Sequence, residues 1–315
     1  MAAHASRNIY LEQIIQAVDR GEDIYLVTAD LAAPCLDDFR EKYPERYVPV
    51  GIAEQNLITV ASGIAMSKKK VVAYTSNPFL VFRAFDQIRN CIGLMNLPMT
   101  IVGVGAGFSI PEYGATHFSL EDINLLRTCA NIQSINISDL TLAQYMAQKT
   151  LDAERPYYLR FDKLVQNSYD LTEKEFKQGF RYLQDTGIED VCILSTGIMS
   201  SECMKILEDL SIKISVIDVF AFPFDAVALA AAVQSYHRLI TVEEMILQGG
   251  LGSSVLEMLS DTEVMIPVRR FGVDMSEGYS AQYGSREWHM QRYGLDMESL
   301  KKAFSKEVMR IRASK

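Results

Sequence analysis

Short β-branched runs alternate with helical segments along most of this chain, and that alternation limits the folds open to it more than any other feature. Strands read at Ile24 to Thr28, Tyr47 to Val50, Val71 to Tyr74, Thr100 to Val104, Ile132 to Ile137 and Tyr157 to Leu159. Helices read between them near 54–68, 82–95, 119–129 and 139–151. A first helix, placed for capping by Ser6, runs to about Arg20 with Ile14, Ala17 and Val18 on one face. Strands linked through helices cannot be hairpins, so they lie mostly parallel with helices on both faces of the sheet. From about Asp162 to Glu189 the sequence becomes polar and charged, with strand-like residues around Phe180 to Leu183, and reads as a connector. A second series follows, with strands near 191–195, 213–218, 238–242 and 264–268 and helices near 199–210, 225–235 and 251–260. The expectation is an α/β fold in two domains: residues 1–165, a connector over 166–189, and a smaller α/β layer over 190–315.

A chain of 315 residues is long enough for two cores of ordinary size, and 49% apolar with 23% charged residues is a globular composition. The net charge of −9 argues against a sequence-independent nucleic-acid binder, which needs a basic face. Partners are expected among small molecules and proteins. The five cysteines (35, 91, 129, 192 and 203) show neither a CxxC nor a metal-type Cys/His cluster, so they read as reduced thiols and no metal site is expected. Met1-Ala2-Ala3-His4 lacks a basic segment followed by an apolar core, and no apolar run reaches membrane-spanning length. The expected location is cytoplasmic.

Within this frame, Gly51-Ile52-Ala53-Glu54-Gln55-Asn56 sets one carboxylate in an apolar run where a strand gives way to a helix. A glutamate in a first helical turn commonly does no more than complement the helix dipole. The apolar flanks of Glu54 point further, because a desolvated carboxyl needs a hydrogen-bond partner and can share a proton with a ring nitrogen. Phe79, Phe82 and Phe85 follow at spacings of three, which reads as a core stripe if the segment is helical, or as an aromatic wall for a flat ring. Pro78 before them favours a loop-to-helix site. The glycines of Gly103-Val104-Gly105-Ala106-Gly107 close a strand, where α/β sheets bind ligands, but lack dinucleotide spacing. His117, after Gly114-Ala115-Thr116 and before a helix, is placed to donate a hydrogen bond to a substrate oxygen. Arg160 at a strand end and Arg7 at the first helix start suit either an anion or an exposed ion pair. Val242-Glu243-Glu244 with Gln248-Gly249-Gly250-Leu251-Gly252-Ser253 reads as a packing or weak anion-site signal.

Taken in order, these segments resemble the C-terminal half of transketolase over nearly the whole chain. The matching motifs are Gly-Ile-Ala-Glu-Gln, Phe79-Leu80-Val81-Phe82 with Phe85, Asp86-Gln87-Ile88-Arg89-Asn90, Gly114-Ala115-Thr116-His117 and the Val-Glu-Glu…Gly-Gly-Leu-Gly-Ser stretch. The resemblance implies a pyrimidine-binding domain followed by a transketolase C-terminal domain, and dependence on thiamin diphosphate. It implies that Glu54 hydrogen-bonds the aminopyrimidine and favours the tautomer that activates the thiazolium carbon. It implies that Phe82 stacks on the pyrimidine, with Phe79 and Phe85 among the wall aromatics, and that Asp30 lies near the cofactor at a subunit contact. His117 would contact the substrate, and Arg160 and Arg7 would hold sugar phosphate.

The Gly-Asp-Gly motif by which the family holds the diphosphate and its Mg2+ occurs nowhere in the chain. The resemblance therefore implies the beta subunit of a split transketolase, inactive without an N-terminal, diphosphate-binding partner, in an α2β2 heterotetramer acting on sugars or sugar phosphates. Counting back from His117, the family's acidic sugar-reading residue is Tyr113, beside Glu112, and a phosphate-contacting histidine is Gly105. Met245 stands where many relatives carry His or Asn. The implied reaction is transfer of a two-carbon ketol unit, with a sugar that is branched, modified or not phosphorylated at the usual end. A decarboxylating 2-oxo acid carboligase or deoxyxylulose-phosphate-synthase-like subunit is the enzymatic alternative. A non-catalytic stabilising subunit is the alternative of another class.

Overall fold

The structure is a computed structural model that describes residues 5–29, 33–165 and 167–313. Twelve strands are present among them: β1 (Ile24–Thr28), β2 (Tyr47–Pro49), β3 (Lys70–Ser76), β4 (Thr100–Val104), β5 (Gln133–Asn136), β6 (Tyr157–Phe161), β7 (Phe180–Gln184), β8 (Val191–Ser195), β9 (Ser215–Val219), β10 (Ala221–Phe222), β11 (Arg238–Ile246) and β12 (Val268–Val273). They form a seven-stranded sheet ordered β10-β5-β6-β4-β3-β1-β2 and a five-stranded sheet ordered β12-β11-β8-β9-β7. The first is parallel apart from β10, and the second is parallel apart from β7. The two-domain α/β architecture read from the alternation is the observed one.

Side chains that alternate along a strand face opposite ways, and each face of the first sheet collects its own core. Val72, Tyr74, Val102 and Leu159 pack with Tyr10, Ile14, Leu142 and Met146 from helices Ser6–Asp19 and Leu140–Leu151. Val71, Ala73 and Ile101 face the other way, onto Leu57, Ile58 and Ala61 of helix Glu54–Met66 and onto Leu80, Ala84 and Ile88. That second cluster continues into Cys192, Leu194, Ile217 and Leu239 of the smaller sheet, so one apolar core joins both sheets. β10 adds a further tie, crossing from the second series to pair antiparallel with β5. No helix among the described residues is long and apolar enough to cross a membrane.

Several elements differ from the sequence reading. Ser6 is the first helical residue, with Ala5 at the N-cap, and its fully buried hydroxyl makes no hydrogen bond. The helix expected over 82–95 is two π-helical stretches, Phe79–Arg83 and Ile88–Leu94, flanking a single turn at Phe85–Gln87. The helix expected over 119–129 shrinks to Asp122–Leu126, because Ser119 is held in a bridge to Gly107. The strand expected near 264–268 is displaced to β12, after Pro267, a residue that has no N–H to give a ladder. Helices Arg286–Arg292 and Met297–Ala313 were not anticipated.

The polar stretch between the two series is structured as well. It carries helix Glu173–Gln178, closed by a Thr172/Glu175 capping box, and β7 at the edge of the second sheet. Its charged appearance misleads because Arg181 is fully buried, 3.1 Å from both Asp139 and Asp218.

Candidate functional site

The carboxyl ends of β1, β3, β4 and β6 form one edge of the first sheet, where an open parallel sheet leaves room for a ligand. Gly51 carries the chain out of β2 at φ +74°, and Glu54 opens the helix that follows. The backbone N–H groups of a first turn favour negative charge, yet Glu54 is only 3% exposed and so has little water around it. Its partner is Arg83, whose Nη1 donates to Oε2 at 2.5 Å. The guanidinium carbon lies 4.7 Å from the centroid of the Phe79 ring. That ring meets His117 edge-on at 5.0 Å, and His117 in turn lies 4.8 Å from the Tyr113 ring. The fold thus draws Glu54, Phe79, His117 and Tyr113 into one contiguous group, with Arg83 as the link.

Of the three phenylalanines only Phe85 packs against the core. Leu80, Val81 and Ala84 between them are fully buried, whereas Phe82 is 39% exposed and Phe79 and Phe85 are half-buried. The π-helical winding alters the angular step per residue, so spacings of three do not place the rings on one inward face. His117 sits in a short 3₁₀ turn, its Nδ1 hydrogen-bonded with Thr116 Oγ1 at 3.0 Å. Burial pulls its imidazole below the usual range, and the nearby Glu112 carboxylate acts in the opposite direction. The neutral ring is therefore favoured at neutral pH.

A buried polar network stands behind this group. Asn77 Nδ2 donates to Ser119 Oγ at 2.6 Å and to Asp122 Oδ2 at 2.7 Å, and Tyr158 donates its hydroxyl to Asp122 Oδ2 at 2.5 Å and to Asn77. It ties the turn before Phe79 to the segment after His117. Arg160 belongs to this network and not to the open group. It is 3% exposed, with Nε donating to Asp122 Oδ2 at 2.8 Å, Nη1 to Asn136 Oδ1 at 3.2 Å and Nη2 to the Ser119 carbonyl at 2.7 Å. Three of its donors, expected for a sugar phosphate, are engaged within the protein. Arg7 is half-buried on the first helix, with its Nε unpartnered. Asp30 lies outside the described residues.

The Glu-Glu and glycine stretch of the second series resolves into two latches. Glu243 is fully buried and accepts hydrogen bonds from Leu251 N at 2.7 Å and Gly252 N at 2.8 Å, so the carboxyl group at that helix start is the chain's own. Burial pushes its carboxyl up to about 8, against the two backbone donors and the charges of Arg270 and Arg160. Glu244 accepts from Phe108 N at 2.7 Å and pairs with Arg286, which also grips both carboxylate oxygens of Asp162 at 3.0 and 2.7 Å. Met245 is fully buried in the shared core. Among the described residues, no group of three or more His, Cys, Asp or Glu side chains is arranged to hold a metal ion.

Arg83, Asn77, Asp122 and Tyr158 escaped the sequence reading. For Arg83 the sequence holds no signal, because Arg46 and Lys68-Lys69-Lys70 stand closer to Glu54 along the chain.

Comparison with known proteins adds independent findings. Residues 2–167 match the family model for the transketolase pyrimidine-binding domain, and residues 182–298 match that for the transketolase C-terminal domain. A subunit of an apulose-4-phosphate transketolase from Actinobacillus succinogenes is 30% identical over 297 residues, covering 93% of this chain and 95% of that protein. A 6-deoxy-6-sulfo-D-fructose transketolase subunit from Clostridium sp. is 28% identical over 305 residues, covering 95% and 93%. A 1-deoxy-D-xylulose-5-phosphate synthase from Prochlorococcus marinus is 30% identical over 288 residues, covering 89% of this chain but 44% of that protein. A solved structure described as a split gene transketolase, inactive beta4 tetramer, superposes with a TM-score of 0.80 at 29% identity, covering 97% of this chain and 98% of the other.

Proposed function

The chain belongs to the transketolase family, and we propose that within it this protein is the pyrimidine-side subunit of a two-chain, thiamin-diphosphate-dependent ketol transferase. One observation carries the reading: Glu54 is a buried carboxylate facing the open edge of a parallel sheet, and its partner Arg83 has a side chain 44% exposed. A guanidinium with that much access to water can swing aside and leave the carboxylate to a ring nitrogen. Phe79 and the partly exposed Phe82 and Phe85 offer rings against which a flat heterocycle can pack with water excluded. The residues present therefore fit an aminopyrimidine.

When bound, thiamin diphosphate supplies the nucleophilic carbon through which a two-carbon ketol unit passes from a ketose to an aldose. Glu54 holds the pyrimidine nitrogen through a hydrogen bond and keeps a proton available at that position. The phenylalanines fix the plane of the ring. His117, neutral and held in rotation by Thr116, donates a hydrogen bond to the substrate oxygen beside it. Asp30 remains a candidate at the cofactor-side subunit contact, and Arg7, with its free Nε, a candidate for an anionic substrate group. The diphosphate and its Mg2+ fall to a partner that carries Gly-Asp-Gly, a motif this chain does not contain. Relatives named as subunits match it almost end to end, which supports a two-chain enzyme, and α2β2 is the assembly proposed for it. The five free cysteines fit a reducing, cytoplasmic setting.

The test is reconstitution with such a partner, followed by assay of ketol transfer and of carbon dioxide release from pyruvate. Transfer from a ketose is expected. Pyruvate turnover without ketose turnover would instead favour the deoxyxylulose-phosphate-synthase-like reading, which the match to that enzyme keeps in view. Glu54→Ala is expected to abolish turnover while the complex still assembles; full activity in that variant would end the proposed role, and inactivity of the wild-type complex on every substrate would favour a stabilising subunit.

A further inference from the structure

His289 is fully buried, and neither of its ring nitrogens has a hydrogen-bond partner among the described residues. The enclosure belongs to this chain alone, since no part of the ring is left for another chain to reach. The imidazole stacks on Phe108 at 5.0 Å and 9°, meets Phe118 edge-on at 4.8 Å and 74°, and has Trp288 edge-on at 4.8 Å. Phe108 and Phe118 meet each other edge-on at 5.0 Å, and Tyr293 stacks on Phe108 at 5.8 Å. Leu120, Val273 and Leu295 complete the cluster.

This cluster grips the roots of the loop that carries His117. Phe108 follows Gly107 and Phe118 precedes Ser119, and Gly107 and Ser119 are bridged. Residues 109–117, between the two phenylalanines, are half-buried or exposed apart from Gly114. Phe108 and Phe118 are therefore the buried feet on which Tyr113, Thr116 and His117 stand, and His289 is wedged against both. Helix Arg286–Arg292 presents it on the face that also carries Arg286, three residues earlier, which pairs with the Glu244 carboxylate below Phe108 N.

An imidazole with both nitrogens idle adds nothing to this packing that a phenyl ring would not, and burying a polar ring unpaired is unfavourable. What it does add is an atom that can take up a proton near physiological pH. Titratable and charged groups stand on every element packed around it: Glu112 and His117 on the loop, Glu244 on β11, Asp274 and Glu277 after β12, Asp296 beside Leu295, and Arg286, Glu287 and Arg292 on its own helix. Of these, Arg292 is the charge whose field reaches the ring, and it is itself paired with Glu277 at 3.9 Å. Burial first, and Arg292 in addition, hold the imidazole below the usual range, so it is neutral at neutral pH. A protonated ring must find acceptors for two N–H groups where it now has none, and the face of Phe108 stabilises the cation only in part. Water reaches those N–H groups when the phenylalanine pair opens.

We propose that His289 is a positioning residue for His117: uncharged, it closes the Phe108–Phe118 pair and fixes the loop, and its protonation opens that pair and releases the loop. The effect on turnover rests on the ketol-transferase reading above; the effect on the loop does not. The full chain, with labelled histidine and phenylalanine, is titrated by NMR from pH 8 to pH 5 beside two variants. His289→Phe keeps a ring that takes up no proton, with His289→Leu in its place if the phenyl variant does not fold, and His117→Gln assigns the other imidazole. In the wild type, His289 is expected to be neutral at pH 7 and to protonate below 6.5, the value of a free imidazole, with the His117 and Phe118 signals moving at the same midpoint. In His289→Phe that shared movement is expected to vanish, leaving His117 to its own titration. Below pH 6.5 the unfolded chain binds a proton that the folded chain does not. The folded-to-unfolded ratio of the wild type, relative to His289→Phe, should therefore fall by up to about tenfold per pH unit as pH drops through that window. In the reconstituted two-chain complex the acidic midpoint of kcat should move to lower pH in His289→Phe. A His289 ring that protonates at or above 6.5, one that stays neutral until the whole chain unfolds, or His117 and Phe118 signals that move alike in both chains overturns the proposal. So does an acidic midpoint shared by both active complexes. Absence of ketol transfer by the wild-type complex fails the ketol-transferase reading instead, and the NMR titration then decides the role of His289.

Discussion

Burying the Glu54 carboxylate removes water that a single guanidinium then replaces, and that guanidinium belongs to the half-exposed side chain of Arg83. Arg83→Met should lower the stability of the free chain by about 1–2 kcal/mol, a charged hydrogen bond discounted for the solvent around the arginine. With the proposed pyrimidine contact to Glu54, the loss in the complex loaded with thiamin diphosphate and Mg2+ should be smaller, because the carboxylate would there have another partner. Thermal unfolding of both forms checks this, and equal losses would rule out displacement of the arginine. Glu54 was legible in sequence because a lone acid among apolar neighbours is conspicuous. The burial of Arg160 was not legible for the converse reason: at a strand end it looks exposed, and only the fold brings Asp122, Asn136 and the Ser119 carbonyl around it.

Among the elements, helix Leu251–Asp261 depends on a carboxyl group that β11 delivers to its first turn. The carboxyl of Glu243 is raised from an ordinary value of 4.5 to about 8, chiefly by burial. Across that window the folded chain holds a proton that the unfolded chain has released, so this contribution to stability is complete below the window and is lost as pH rises through it. The loss approaches about 1.4 kcal/mol per pH unit from this group. Urea titrations at pH 5, 6.5 and 8 should show the decline, and Glu243→Gln should flatten it. The same variant sets an amide N–H against one of the two helix N–H donors, and should cost about 1–3 kcal/mol at low pH. Strand and helix identities were readable wherever periodicity was simple. The π-helical turns over Phe79–Leu94 were not, because their wider winding leaves no periodic mark in so short a segment.

For the whole molecule, the joint between the two sheets combines a continuous apolar core, the β10–β5 pairing and the Asp162–Arg286–Glu244 cluster. Arg286→Met would leave two buried carboxylates facing each other and should destabilise the chain by about 3–5 kcal/mol near pH 8. Glu244 already has a raised carboxyl, from burial first and Asp162 in addition, so acidification should restore part of the loss. Calorimetry at pH 5 and pH 8 tests this, and a deficit independent of pH would show that lost packing, not charge, is responsible. The sequence by itself determined the mostly parallel, helix-covered sheets, since a strand that returns through a helix favours a parallel crossover, and it marked Glu54 and His117 as residues with chemistry to explain. Only the tertiary structure decided which charges face a ligand and which hold the fold. Arg83, Arg160, Arg181 and Arg286 are alike along the chain, and their roles separate once partners distant in sequence, such as Asp122, Asp218 and Asp162, come within hydrogen-bonding distance. A charge becomes structural when folding removes its water and supplies a counter-charge, and neither event is local.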